Sequence, residues 1–277
     1  MARTNAASAR VKPEQAGLIR LNVLRQERVS PGFARVTLGG GDIEKFTPMG
    51  FDQWFRLFIP VAEDSLSRLP NKLDALAYAK YLTISKASRP VLRNYTVRAY
   101  RPEGPEGPEL DVDFVLHGSA ADGTAGPASA WAESCSPGDQ VAILDEGITF
   151  TRPEHLHQVL IVSDETGLPA VAGILASLDS DITGQVLIEV PAEADRQELE
   201  GPKGVEVNWV VRGDAAVVPG HKAREAVEAL PVPREPFYAW VVGESTLPTA
   251  LRRHWVRAGV PKENIKFCGY WKAGRTH

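Results

Sequence analysis

The stretch Arg93-Asn94-Tyr95-Thr96-Val97-Arg98 is typical of a β-strand that also carries ligand-binding side chains. Its β-branched and aromatic residues suit a pleated, half-buried surface, so residues 94–100 are predicted to form a strand. Because alternate side chains of a strand share a face, Arg93 and Tyr95 are expected to point one way and Thr96 and Arg98 the other. Arginine binds phosphate oxygens with a planar fork, and a tyrosine ring packs against flat ring systems. The stretch indicates either a site for a flat, phosphorylated ligand or an exposed strand with solvated arginines.

A helix opening downstream supplies the complementary half of such a site. His117-Gly118 is followed by a small, polar loop and then by Gly126-Pro127-Ala128-Ser129, where the proline suits the first turn of a helix. A glycine-bearing loop that leads into a helix presents backbone N–H groups and the positive end of the helix dipole to a phosphate. By itself this pattern is usually only a turn. After the Arg/Tyr/Thr strand it indicates the diphosphate half of a flavin dinucleotide site.

The first half of the chain has the pattern of a small antiparallel β domain. Short strand-like runs are separated by glycine, proline and aspartate turns, which is typical of a barrel or sandwich. Residues 66–89 interrupt the pattern and are predicted to be a helical or irregular insertion. Residues 1–17 are predicted to be a disordered tail, so the domain is expected to cover residues 18–150. The predicted strands are 19–26, 33–39, 54–60, 94–100, 110–117 and 140–144.

In the second half, strands alternate with helix-like segments, which predicts a doubly wound parallel α/β domain over residues 151–277. Ligands of such sheets bind beyond the carboxyl ends of the strands, and Glu244 lies at one of these ends. Glu244 is therefore expected to contact a dinucleotide. Glu189 would favour a ribose hydroxyl and Arg196 a 2′-phosphate, so the choice of dinucleotide stays open. The predicted strands are 157–162, 186–190, 205–211, 237–243 and 265–270, and the predicted helices are 168–178, 221–230 and 245–258.

The first turn of this second domain, Ser163-Asp164-Glu165-Thr166-Gly167, is not a GxGxxG fingerprint. A dinucleotide fold could not be argued from that motif. The turn nevertheless joins a strand to a helix and contains a hydroxyl and a glycine. From the residues alone it indicates a plain helix cap by Asp164 or Thr166.

Together, these motifs resemble one known family. Arg93-x-Tyr95-Thr96-x-Arg98, His117-Gly118, Gly126-Pro127-Ala128-Ser129, the Asp164 turn and Gly269-Tyr270-Trp271-Lys272-x-Gly274-Arg275 occur in one order. This order is similar to that of the siderophore-interacting proteins, ferric-siderophore reductases related to ferredoxin–NADP reductase, over roughly residues 18–275. The resemblance implies an FAD-binding β-barrel followed by an NAD(P)H-binding α/β domain. It also implies that electrons pass through the flavin to a ferric siderophore and that iron leaves as Fe(II).

The resemblance also implies roles for individual residues. The flavin carries the chemistry, so no catalytic side chain is expected, and iron is bound only within the siderophore. NADPH is favoured as the electron donor, with NADH and a ferredoxin as alternatives. The residues expected to contact the cofactor are Arg93, Tyr95, Thr96, Val97, His117, Gly126, Ala128, Ser129, Asp164, Thr166 and Trp271. Arg196 and Glu244 are expected to contact the dinucleotide, and Arg56, Lys272 and Arg275 the anionic ferric chelate.

Two positions depart from the family pattern. Arg56 stands where the family usually has lysine, which keeps the charge but changes its geometry. Asp145-Glu146-Gly147 replaces a turn that usually carries a basic residue, and Arg152 is a candidate replacement for the missing charge. The details of the substrate, including which siderophore is used, therefore remain open.

Composition excludes several other classes of protein. A net charge of −4 argues against a nucleic-acid binder that depends on bulk positive charge. The two cysteines, Cys135 and Cys268, are far apart and favour a reducing cytoplasm over a disulfide framework. No apolar run is long enough to span a membrane. Nothing in the sequence argues strongly for an oligomer, so a monomer is expected.

Two other functions remain open at this stage. A general NAD(P)H–flavin oxidoreductase with another acceptor would use the same two domains. A non-catalytic siderophore-binding protein would keep the fold without turnover, although the Arg-x-Tyr-Thr strand and the Gly-Pro-Ala-Ser loop argue against it.

Overall fold

A computed structural model of the chain describes residues 10–14, 17–70, 75–85, 87–118 and 125–274. The chain divides after Ile148 into two compact units, one from Val11 to Ile148 and one from Thr149 onward. The expected domain boundary at residues 150 and 151 lies two residues downstream of this division. None of the helices in the described ranges combines the length and the apolar character needed to cross a membrane.

The first unit is a seven-stranded antiparallel sheet with the order β4-β3-β7-β1-β2-β6-β5. Two short helices accompany it: α1 in the expected insertion and α2 at the expected phosphate-binding turn. The predicted antiparallel β-barrel class is confirmed, and each predicted strand has a counterpart. The elements are β1 (Leu18–Ser30), β2 (Phe33–Gly39), β3 (Trp54–Ile59), α1 (Ala75–Thr83), β4 (Val91–Thr96), β5 (Ala99–Gly104), β6 (Gly107–Val115), α2 (Pro127–Ser134) and β7 (Gln140–Gly147).

The prediction of one continuous strand over residues 94–100 was wrong. The chain forms β4 up to Thr96 and starts β5 at Ala99, and these two strands lie at opposite edges of the sheet order. Val97 and Arg98 connect the edges, because Val97 N–H donates to Gln53 O and Arg98 N–H to Asp111 O, both at 2.9 Å. The strand breaks because the chain must pass from one edge to the other to close the barrel. The expected alternation of faces therefore does not extend from Thr96 to Arg98.

The barrel core is built from apolar residues of the predicted strands. Leu21, Val36, Phe55 and Leu110 are among its fully buried members. Ordered pairing also begins before the expected domain start at residue 18, since Val11 and Ile148 form an antiparallel bridge with two 3.0 Å hydrogen bonds. Residues 10–14 therefore include an anchored part of the expected tail. Residues 1–9 and 15–16 of that tail lie outside the described residues.

The second unit is a five-stranded parallel sheet with the order β10-β9-β8-β11-β12. The chain moves outward from β8 through β9 to β10, and then returns to the other side of β8 for β11 and β12. This reversal confirms the predicted doubly wound fold and puts the topological switch point between β8 and β11. The elements are β8 (Gln158–Ser163), α3 (Leu168–Ser177), β9 (Thr183–Val190), β10 (Gly204–Val211), α4 (His221–Ala229), β11 (Tyr238–Glu244), α5 (Thr246–Arg257) and β12 (Ile265–Trp271).

The sheet of the second unit is buried, as parallel strands usually are. Every residue of β11 is buried, and α4 and α5 pack together over the β-strand residues Leu160, Val241 and Ile265. This packing fixes the carboxyl ends of β8, β11 and β12 side by side, which is the edge where a doubly wound sheet binds ligands.

Candidate functional site

In the first unit, the N-terminus of α2 has the features of an anion site. Gly126 precedes the helix in an extended conformation (φ −66°, ψ 152°), and Pro127 occupies the first turn. Ala128 and Ser129 are buried in that turn. The Ser129 hydroxyl has no hydrogen-bond partner among the residues that the structure describes. A buried, unpartnered hydroxyl at the positive end of a helix has the chemistry that the diphosphate of a dinucleotide requires.

His117 lies against this helix start. A Cβ atom built on Gly126 would lie 3.4 Å from His117 Nε2, so the glycine leaves room for the imidazole. The structure therefore brings together two residues that the sequence separates by a polar loop. Residues 119–124 of that loop lie outside the described residues.

A chain of aromatic rings connects the same helix to β4. Tyr95 packs on Phe114 with ring centroids 4.3 Å apart, and Phe114 packs on Trp131 of α2 at 5.6 Å. Burial raises the pKa of the Tyr95 phenol above its ordinary value, so the ring stays neutral across the physiological range. The two halves of the predicted flavin site thus share one aromatic cluster. Sequence reasoning missed Phe114, which carries no signal beyond that of a core strand residue.

The other predicted residues in and just after β4 are at least half-buried. Arg93 is half-buried, and its Nη1 donates to Leu92 O at 2.8 Å. Thr96 and Val97 are both 8% exposed. Val97 also lies in the barrel core and uses its N–H group to close the barrel, so its side chain and N–H group are both committed to the fold.

Arg56 does not present a free charge. Its Nε lies 2.7 Å from Glu146 Oε1, and the Glu146 side chain is only 7% exposed. The two departures from the family pattern are therefore partners in one ion pair. Arg152, the candidate replacement for the missing basic residue, donates to Leu156 O at 2.7 Å and is not free either.

In the second unit, Asp164 is the centre of the site at the carboxyl edge of the sheet. Its Oδ1 accepts hydrogen bonds from Thr166 N at 2.9 Å and from Thr166 Oγ1 at 2.5 Å. Its Oδ2 accepts from Glu244 N at 2.6 Å and from Trp271 Nε1 at 3.2 Å. Complete burial, together with the neighbouring charge of Glu165, raises the pKa of Asp164 to about 7. The predicted helix-cap role of Asp164 is confirmed by its bond to Thr166 N.

The expectation that Glu244 contacts a dinucleotide is not supported by its surroundings. The side chain is buried, and its Oε2 accepts a hydrogen bond from the backbone N of Thr246 at 2.6 Å. Its Oε1 accepts from Ala273 N at 3.2 Å. A buried carboxylate that accepts hydrogen bonds from its own main chain is not available to bind a ribose, so the expected role of Glu244 is wrong.

Glu189 is committed in the same way. It is fully buried, and it accepts from Arg212 Nη1 at 2.7 Å, Gly220 N at 2.9 Å and Ala223 N at 2.9 Å. Arg212 also binds Glu165 through two hydrogen bonds, of 2.7 and 2.9 Å. Glu189 therefore cannot act as the ribose-binding acid. Arg212 was missed because its partners are distant in the sequence.

The remaining predicted residues lie on the surface. Arg196 is 42% exposed at its side chain and pairs with Glu193 at 2.9 Å. Lys272 is exposed, with no carboxylate partner in the described part of the chain, and Arg275 lies outside that part. No group of three histidine, cysteine or acidic side chains suited to a metal ion occurs in the ranges that the structure describes.

Comparison with known proteins agrees with this division into two units. Residues 22–149 match the siderophore-interacting FAD-binding domain, and residues 156–274 match the siderophore-interacting protein domain. The ferric vibriobactin reductase ViuB of Vibrio cholerae is 30% identical over 92% of this chain and 90% of its own length. The NADPH-dependent ferric-chelate reductase of Escherichia coli is 30% identical over 91% of this chain and 92% of its own.

Solved structures show the same similarity. A siderophore utilization protein from T. fusca has a TM-score of 0.75 and 26% identity, and the match covers 100% of this chain and 98% of that one. The siderophore-interacting protein SipS from Aeromonas hydrophila has a TM-score of 0.71 and 27% identity, with 94% of each chain covered. The ferredoxin–NADP+ reductase of Plasmodium falciparum, at 10% identity and a TM-score of 0.61, shares the fold over 90% of this chain and 95% of that one. This chain belongs to the siderophore-interacting protein family.

Proposed function

We propose that this protein is an FAD-dependent reductase that transfers electrons from NAD(P)H to a ferric siderophore and releases iron as Fe(II). The observation that carries the proposal is the site at α2. There, the Tyr95–Phe114–Trp131 cluster joins the Arg/Tyr/Thr strand to a helix N-terminus with a buried, unpartnered Ser129 hydroxyl. The names of the Vibrio cholerae and Escherichia coli relatives support the same activity.

The first unit holds the flavin in this proposal. Gly126, Ala128 and Ser129 face the diphosphate at the start of α2, and Arg93 contacts phosphate or ribityl oxygens. Tyr95 and Thr96 face the ring system, with His117 beside it. Bound FAD supplies two-electron uptake from a nicotinamide and single-electron release to ferric iron. The side chains of this unit place and orient the cofactor.

The second unit brings the dinucleotide, and we propose that NADPH is preferred. The carboxylate of Glu189 accepts hydrogen bonds from Arg212 and Gly220. The end of β9 therefore offers no available acid that would favour a ribose hydroxyl. Arg196 lies close by along the chain and is exposed enough to meet a 2′-phosphate. The Escherichia coli relative is named as NADPH-dependent. Thr166 and the Trp271 ring are proposed to face the nicotinamide.

Lys272 is the basic residue best placed to attract an anionic ferric chelate, because it is exposed and directly follows the last strand. Arg275 is proposed to assist it. Arg56 contributes less, since Glu146 already neutralises it. Reduction weakens the hold of hard oxygen donors on iron, so the product Fe(II) leaves the chelate more readily than Fe(III) does.

The cofactor site can be tested by binding alone. Ser129→Ala removes the unpartnered hydroxyl and is expected to weaken FAD binding by about fivefold, the value of one hydrogen bond. Ser134→Ala is the matched control, because Ser134 lies at the other end of α2, where its Oγ donates to Ala130 O at 3.0 Å. Titration of apoprotein with FAD, followed by flavin fluorescence, measures both variants. Equal affinity for the two variants would contradict the placement of the diphosphate at this helix.

The activity is tested by anaerobic absorbance spectroscopy of the FAD-loaded protein. Addition of NADPH is expected to bleach the flavin band, and a ferric siderophore is expected to restore it while a chelator traps Fe(II). A protein that takes up no FAD would instead be a siderophore-binding module. A flavin that bleaches but is not reoxidised by any ferric chelate would indicate a general oxidoreductase. Replacement of NADPH by NADH or by a reduced ferredoxin identifies the donor in the same assay.

We further propose that the protein works in the cytoplasm as a monomer. Both cysteines, Cys135 and Cys268, are free thiols, which suits a reducing compartment. Cell fractionation tests the location, and light scattering of the purified protein tests the oligomeric state.

A further inference from the structure

The Asp164 carboxylate has no vacant acceptor position for a ligand. A carboxylate offers about four lone-pair sites. In Asp164, Thr166 donates two hydrogen bonds to Oδ1, and Glu244 N and Trp271 Nε1 donate the two to Oδ2. The side chain is also completely buried. Asp164 is therefore unable to contact a cofactor directly, which corrects the expectation from the resemblance.

The backbone of β11 is shaped around this carboxylate. Gly243 has a φ of +129°, and a Cβ atom built on it would lie 2.6 Å from the Asp164 carboxyl carbon. Any side chain at position 243 would therefore displace the carboxylate. The close approach puts Asp164 Oδ2 within 2.6 Å of the next backbone N–H group, that of Glu244.

A second set of contacts, which shares Glu244 with the Asp164 site, holds the main chain at the end of β12. Ser245 donates to Trp271 O from its backbone N at 2.9 Å and from its Oγ at 2.5 Å. Glu244 Oε1 accepts from Ala273 N at 3.2 Å. Gly269 lets Ser245 approach, because a Cβ there would lie 3.1 Å from Ser245 Cα. The main chain around Trp271 is thus fixed by Glu244 and Ser245. The hydrogen bond between Asp164 and Trp271 involves only the indole of Trp271.

We infer that Asp164 is a positioning residue that sets the orientation of the Trp271 indole at the carboxyl edge of the sheet. The bond from Trp271 Nε1 to Asp164 Oδ2 limits rotation of the ring, which is only partly buried. In the proposed reductase, on which this functional part rests, the orientation of an aromatic ring that faces the nicotinamide affects turnover. Asp164 acts on the reaction through Trp271 and touches neither cofactor nor substrate.

The positioning is tested by NMR of the full-length, FAD-loaded protein with labelled indole nitrogens. The chain has six tryptophans, and Trp271→Phe identifies the Trp271 signal by its loss. Asp164→Ala is expected to move that signal toward the position of a solvent-exposed indole and to leave the other signals in place. Asp164→Asn keeps one acceptor oxygen and is expected to give a smaller shift. A Trp271 signal that stays in place in both variants would overturn the inference.

A second buried acid of the same unit provides the control. Asp195 is 1% exposed and accepts a hydrogen bond from Ala192 N at 3.2 Å, as Asp164 does from Thr166 N. Asp195→Asn is expected to leave the Trp271 signal unchanged. A similar displacement of that signal in this variant would mean that any loss of a buried acid loosens the unit, which would also overturn the inference.

Steady-state reduction of a ferric chelate with NADPH tests the functional part. Trp271→Phe and Asp164→Ala are each expected to lower kcat by about tenfold through misplacement of the ring. The double variant is expected to be no slower than either single variant, because both changes remove the same contribution. Losses that multiply would show that Asp164 acts by another route. If the wild-type protein reduces no ferric chelate, the proposed function fails, and the NMR result still decides whether Asp164 orients Trp271.

Discussion

Buried acids are held in opposite ways in the two units. On β6 of the barrel, Glu109, Asp111 and Asp113 lie on one face, and arginines from β1, β2 and β5 cover them. Arg25 and Arg101 bind Glu109 at 2.7 and 2.6 Å, and they hold the pKa of that carboxyl at about 2. In the α/β unit, Asp164 is held only by neutral donors, and its pKa rises to about 7.

The difference shows two uses of the same chemical group. Where guanidinium groups neutralise the acids, the carboxylates cross-link adjacent strands and strengthen a sheet face. Where backbone and indole N–H groups surround the acid, the carboxylate fixes loops that the sheet alone would leave free. Only the second arrangement puts directed polar contacts at the edge of the sheet where ligands bind.

The largest effect is expected from Gly243→Ala, which would break the arrangement around Asp164. The new Cβ would meet the carboxylate at 2.6 Å, and φ at this position is +129°. Overpacking and backbone strain together predict a loss of about 3 kcal/mol or more in the free energy of unfolding. Urea denaturation measures it. Gly259→Ala is the control, since its φ is +92° but a Cβ there meets nothing within 4 Å, so a loss of only about 1 kcal/mol is expected. Equal losses would refute the steric argument.

A smaller loss in the free energy of unfolding is expected when the ion pairs of the arginine-covered acids are broken. Glu109→Gln leaves Arg25 and Arg101 without their shared carboxylate, and both guanidinium groups are partly exposed. The exposure limits the expected destabilisation to about 2 kcal/mol, below that of a fully buried pair. Glu106→Gln, on the exposed turn of the same hairpin, is expected to change stability by less than about 0.5 kcal/mol. A Glu109→Gln variant as stable as this control would show that the ion pairs of Glu109 contribute nothing to stability.

The two kinds of acid are also expected to respond to pH with opposite sign. The pKa of Glu109 is lowered from 4.5 to about 2, so its stabilisation is complete above pH 4.5 and is lost as the pH falls toward 2. The pKa of Asp164 is raised from 3.8 to about 7, so its ionised form costs stability above pH 7, and this cost is relieved as the pH falls toward 3.8. The penalty of Glu109→Gln should therefore shrink at low pH, while that of Asp164→Asn should grow. Unfolding curves of both variants and the wild type at several pH values measure this, and penalties that change in the same direction would contradict the comparison.

The smallest effect is expected at the ion pair between Arg56 and Glu146. Glu146→Gln removes the partner of Arg56 and should lower KM for an anionic ferric chelate by about threefold, the scale of one partly exposed ion pair. Glu103→Gln changes net charge equally at an exposed position of the barrel and should leave KM unchanged. Steady-state rates with the same chelate compare the two variants. An unchanged or higher KM in Glu146→Gln would show that Arg56 is not part of the substrate site.

The sequence was sufficient for the elements and insufficient for the contacts between distant residues. Period-two and strand–helix patterns predict the strands well because burial of one or both faces imposes them locally. The break at Val97 and Arg98 depends on the two sheet edges meeting, and no local pattern records that event. Glu189 and Glu244 were expected at a ligand because both end a strand. Their partners, among them Gly220 and Ala273, are brought to them only by the fold.

The position of β7 has a consequence for how the barrel assembles during synthesis. β7 is the last strand of its unit along the chain, yet it lies between β3 and β1 in the sheet. Before it emerges from the ribosome, the earlier strands can form only two pieces of sheet, β3 with β4 and β1 with β2, β6 and β5, which Val97 and Arg98 link at one side. The barrel therefore cannot be completed until Gly147 has been translated, just before the α/β unit begins. A nascent chain that stalls earlier exposes the unpaired edges of both pieces, the state in which aggregation and chaperone binding are most favoured.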